Sequence, residues 1–155
     1  MSPRSPLPAI LLALVALAGP GCGAAEQEEP FADGFNAVNE RLLDLNQRAG
    51  GAIRAASRLT DEEVEREFGR LARMVAQARG RLAGLDPPAD LVPLHEDLVA
   101  ALGEVQTDLS DIERAAAAAN PRAAKRATEA VLRDALRLRR SRRDLAHATG
   151  ARIQE

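Results

Sequence analysis

Between Phe31 and Gly150 the apolar residues return at alternating steps of three and four, and this spacing constrains the fold more than any other feature of the chain. Such steps line side chains along one face of an α-helix, whereas a half-buried strand alternates at every second residue. The first stripe runs Phe35, Val38, Leu42, Leu45, Ala49, Ala52, Ala56 and Leu59, and the second Val64, Phe68, Leu71, Val75, Ala78, Leu82 and Leu85. A third takes Leu91, Leu94, Leu98, Leu102, Val105, Leu109, Ile112 and Ala116. The fourth is looser, with Ala127, Val131, Ala135, Leu138 and Leu145 accompanied by Leu132 and Leu136. An all-α fold follows.

The residues between the stripes mark where helices begin and end. Thr60-Asp-Glu-Glu63 is a capping box, flanked by Leu59 and Val64 as its hydrophobic staple. Gly84 is expected to close the second helix in the left-handed conformation, and Asp86-Pro87-Pro88 blocks its continuation. Pro93 is tolerable only in the first turn of the third helix, where its missing N–H has no intrahelical partner. Asn120-Pro121 reads as an N-cap followed by proline at the first helical position, and Gly150 ends the fourth helix. The segments are about 35 to 43 Å long at 1.5 Å per residue. Similar lengths and short connections predict an up-down-up-down four-helix bundle over residues 31–150. Helical hairpins that complete their core as a homodimer are the alternative, and Gly50-Gly51 can kink the first segment or split it.

The front of the chain has a different character. Arg4 precedes an unbroken ten-residue apolar run, Ala9 to Ala18, which is too short to cross a bilayer, since that takes about 20 residues. Small residues follow, then Cys22, the only cysteine, and then the acidic stretch Gly23 to Pro30. This arrangement resembles a bacterial lipoprotein leader, with Gly21 at the position before the cysteine. The resemblance implies a signal peptide over residues 1–21 and lipidation of Cys22 as the first residue of the mature protein. Residues 22–30 would then be an acidic tether and 151–155 a C-terminal tail. A cut after Ala25, with Gly23 and Ala25 as the small pair, would instead discard Cys22 and release the protein. A lone thiol in an oxidising compartment can only pair between molecules or oxidise, and either route removes that liability. The protein is expected to be exported, and on the first route anchored to a membrane on the outer side of the cytoplasmic membrane or in the periplasm.

Three Phe and neither Trp nor Tyr leave few flat rings on which bases or sugars stack, so nucleic acid is not an expected partner. Charge is unevenly distributed. Residues 89–120 hold seven acids against Arg114 alone, a net of −6, while residues 121–155 hold ten bases against four acids, a net of +6. If the third and fourth helices fold back at Asn120, facing residues have numbers of nearly constant sum. Glu113 with Arg126, Asp108 with Arg133, Glu104 with Arg137 and Asp97 with Arg142 then become intrachain pairs that select register. A solvated face, or a basic patch for an anionic surface, are the other readings of RLRRSRRD at 137–144.

Reactive chemistry finds little footing. Ser57, Ser110 and Ser141 lie in helical sequence without a nearby histidine, no Gly-x-Ser-x-Gly occurs, and Gly69, Gly80 and Gly103 are isolated within helical stripes. Cys-x-x-Cys-His is absent, so no c-type haem and no other cofactor is expected. His95 and Asp144-x-x-His147 fall near one end of the proposed bundle, and carboxylate-x-x-His resembles half of a di-iron ligand motif. Exposed histidines without a metal are the preferred expectation. With Leu85-x-Pro-Pro88, His95 and Leu-Ala-rich helices, residues 31–150 resemble the small helical domains of bacterial lipoproteins and secreted proteins, which brings no known activity. The expectation is a non-enzymatic binding or scaffolding module of the cell envelope, with the membrane and another envelope protein as partners. A metal or small-ligand binding bundle is the alternative.

Overall fold

A computed structural model describes residues 23–150. Residues 1–22, which hold the expected leader and Cys22, and residues 151–155 lie outside the described residues. Four helices follow one another: α1 (Gly23–Ala55), α2 (Asp61–Ala83), α3 (Val92–Ala117) and α4 (Pro121–Ala148), with a short 3-10 turn at Ala56–Arg58 after α1. No strand occurs among the described residues, and the fold is an all-α helical bundle.

Each helix packs on its neighbour in sequence, α1 on α2, α2 on α3 and α3 on α4. Phe31, Leu91 and Ala148 line one small cleft, so the start of α1, the start of α3 and the end of α4 share one end of the bundle. Ile53, Asp61, Ala116 and Pro121 line a cleft at the other end. The path is therefore up-down-up-down. The core is aliphatic apart from Phe31, Phe35 and Phe68, which are all buried, and it is centred on Leu71, Leu82, Leu98, Leu102, Leu109 and Ile112.

The helix ends largely follow local chemistry. Thr60 caps α2: its amide donates to Glu63 Oε2 at 2.8 Å, and the Glu63 amide donates to Thr60 Oγ1 at 3.3 Å. These bonds from the Thr60 backbone and side chain hold the Glu63 carboxyl below its ordinary pKa. Asn120 caps α4 by accepting from the Ala123 amide at 3.0 Å, with Pro121 in the first turn. Gly150 takes the left-handed conformation after α4, at φ +66°.

The expectation at Gly84 is corrected, and three further local features stand beside it. Gly84 ends α2 at φ −87°, a right-handed value, because Leu85 turns back to the Leu82 carbonyl at 3.0 Å and no left-handed residue is needed. Gly50-Gly51 neither splits nor ends α1, which continues to Ala55 with Ala52 buried beside the pair. The helix also begins at Gly23, so residues 23–30 of the expected acidic tether are helical, with Pro30 inside. The left-handed residue of the α3–α4 turn is Ala119, at φ 46°. There the Asn120 amide donates to the Ala115 carbonyl and the Ala119 amide to Ala116, each at 2.8 Å, which is a Schellman closure built without glycine.

Candidate interaction surface

His95 is buried, contrary to the expectation of exposure. Its Nε2 lies 2.8 Å from the Leu82 carbonyl, and because a carbonyl only accepts, that nitrogen carries the donated proton. Its ring meets Phe31 edge to face with centroids 5.9 Å apart, so one side chain joins the start of α1, the last turn of α2 and the first turn of α3. The sequence carried a signal for this, since Leu91, His95, Leu98 and Leu102 continue the same steps of four, three and four. Asp144 and His147 are exposed on α4. Among the described residues no three His, Cys, Asp or Glu side chains come together as a metal group. The proposed lipidation residue, Cys22, lies outside the described residues.

Of the four charge pairs, Arg137 Nη1 meets Glu104 Oε1 across α3 and α4. The other three do not form ion pairs. Arg142 turns to the other flank of α4 and donates to Oδ1 of the buried Asn39 on α1 at 3.1 Å. Burial, with repulsion from Arg139 and Arg143, lowers the Arg142 pKa. Asp97 stays exposed. Glu113 lies over Gly69 of α2, where an added Cβ would collide with its Oε1, and Arg126 lines an open groove with Asp111 and Arg114. A constant sum fixes height along paired helices but not azimuth around them, which is why only one pair meets. Asn39 escaped the sequence reading, although it sits four residues after Phe35 and beside Val38.

Asp108 faces a like charge. Its Oδ2 is buried without a hydrogen-bond partner, and Asp134 of α4 is its carboxyl neighbour. Burial first, then a carboxyl–carboxylate contact and repulsion from Asp134, and then Asp111, push the Asp108 pKa up to about 7, with Arg133 pulling the other way. Protonation of Asp108 relieves this arrangement as the pH falls through about 7.

The outward face of α4 is the largest feature that packing leaves unexplained. Leu132 and Leu136 are 54% and 58% exposed, the two exposed large hydrophobics among the described residues. Four residues apart, they stand one above the other on the helix. Lys125 lies on one side of them along the axis, and Arg139, Arg140 and Arg143 on the other, all exposed. Arg122, Arg126 and Arg133 extend the basic surface, and Glu129 and Asp144 are the exposed acids of this helix. Among the described residues Arg137 is the base of α4 that forms an ion pair. The result is a strip of leucine edged by unpaired cations.

Comparison with protein-family models, curated proteins and solved structures gives no match to this chain.

Proposed function

We propose that this protein is an exported, lipid-anchored helical bundle of the cell envelope, acting as a non-enzymatic binding or scaffolding module through the outward face of α4. The observation that carries the reading is that face: Leu132 and Leu136 exposed side by side within a row of cations that have no intrachain partner. Two leucines exposed together inside a rim of charge have the composition of a contact surface. The leader sequence and Cys22 supply the address, and Cys22 supplies the attachment. No helix among the described residues is long and apolar enough to cross a membrane, so on this reading the acyl chains hold the bundle at the bilayer.

The test is the intact mass of the mature protein extracted from its host envelope. A chain that begins at Cys22 and carries added acyl mass is expected. A chain that begins after Ala25 removes the anchor, and one that retains Met1 contradicts export altogether.

A further inference from the structure

We infer that the outward face of α4 docks on an anionic bilayer surface, with Leu132 and Leu136 entering the headgroup boundary and Lys125, Arg139, Arg140 and Arg143 seated on lipid phosphates. The inference rests on the proposed function and names the partner of that same face.

Charge complementarity chooses the occupant. A second copy would bring two cationic rows together around a narrow apolar strip, and the like charges would oppose pairing. A protein partner of ordinary affinity needs an interface of about 1,200 to 2,000 Å² centred on large anchoring side chains, commonly Trp or Tyr. Two leucines on a convex helix fall well short of that, and the chain has no Trp or Tyr while its three Phe are buried in the core. A bilayer asks for less. It accepts a helix whose leucines enter the acyl boundary while lysine and arginine stay at the headgroups, and each base near an anionic surface multiplies binding roughly fivefold.

The fold supplies the proximity. Phe31 and Ala148 line the same cleft, so the chain leading back to Cys22 leaves from the end at which α4 finishes. Arg139, Arg140 and Arg143 lie within about 14 Å of that end along the helix axis, and Leu132 about 24 Å from it. Gly23, the residue after Cys22, lies about 12 Å beyond Phe31 along α1 at 1.5 Å per residue. Asn39 of α1 accepts from Arg142 of α4, which joins that turn of α1 to α4. An anchored bundle can therefore lie on its side with α4 against the lipid. Acyl chains and the α4 face then act as two linked membrane contacts, each raising the effective concentration of the other.

The experiment uses the processed chain purified from its host, with Leu136→Cys as the attachment point for an environment-sensitive fluorophore. It is reconstituted on vesicles of phosphatidylcholine alone or of phosphatidylcholine with phosphatidylglycerol. On the anionic vesicles the emission is expected to shift to the blue and become shielded from an aqueous quencher, and high salt is expected to reverse both changes. The combined variant Arg139→Glu, Arg140→Glu and Arg143→Glu, checked for retained helicity by circular dichroism, is expected to lose the shift. A fluorophore that stays in water on both vesicles, or a shift that survives charge reversal, overturns the inference. So does an equal shift with soluble polyphosphate and no vesicles, which would mark a soluble polymer as the partner. In each of those outcomes an acylated chain still on the membrane leaves the proposed function standing, whereas a chain cut after Ala25 defeats the anchored reading itself.

Discussion

Helices α3 and α4 are close in length, 26 and 28 residues, yet α3 buries nine side chains and α4 four. α3 lies between two neighbours, and His95, Leu98, Leu102, Val105, Leu109 and Ile112 meet the core in unbroken succession. α4 reaches that core through Ala127, Val131, Leu145 and Ala146, and turns Leu132 and Leu136 to solvent. Folding explains nearly every large side chain of α3. It leaves Leu132, Leu136 and most arginines of α4 without a task, and such a surplus is where function is to be sought.

The comparison breaks most readily at the centre of α3. Leu109 is fully buried, so Leu109→Ala is expected to cost about 2 to 5 kcal/mol in urea unfolding, through lost burial and the cavity left behind. A cost below about 1 kcal/mol would mean that α3 is not the central helix.

A smaller effect tests the seam between the two helices. Because the native pKa of Asp108 stands near 7, above the ordinary 3.8, the folded state holds this proton more tightly than the unfolded one. Stability should therefore fall as pH rises from about 4 to 7 and level off above, the reverse of a salt-bridged aspartate. Asp108→Asn removes the buried charge and is expected to stabilise the protein by about 1 kcal/mol at pH 8, since partial exposure and Arg133 already screen the repulsion. At pH 4 the gain should vanish. A gain independent of pH would show that the Asp108 carboxyl is not raised in the folded state.

Smaller again is the joint. Ala119 holds the left-handed conformation at φ 46°, which costs an L-residue about 1 kcal/mol. Ala119→Gly is expected to recover most of that, less the added freedom of the unfolded chain, as a rise in melting temperature of a few degrees. A fall would show that the turn is held differently.

Much of the fold was legible because it depends on local chemistry. The steps of three and four located all four helices, Thr60 and Asn120 marked the starts of α2 and α4, and Gly150 marked the end of α4. Less visible were features that depend on azimuth. Residue numbers paired Asp108 with Arg133 at the right height, but rotation about the axis set it against Asp134 instead. The same rotation carried Arg142 to Asn39 and Glu113 to Gly69. Gly84 did not take the left-handed conformation and Ala119 did, because either hydrogen-bond pattern can close a helix, and residue identity alone does not choose between them. The outward leucines were legible in part: Leu132 and Leu136 lay beside the fourth stripe, and their exposure needed the positions of α1 and α3.

The most direct measurement is the urea unfolding free energy of the double variant Leu132→Gln with Leu136→Gln. If these leucines are spare to the fold, stability should stay within about 0.5 kcal/mol of the parent, as for an ordinary surface change. A loss of about 2 kcal/mol or more would place them in the core and remove the basis for a docking face on α4.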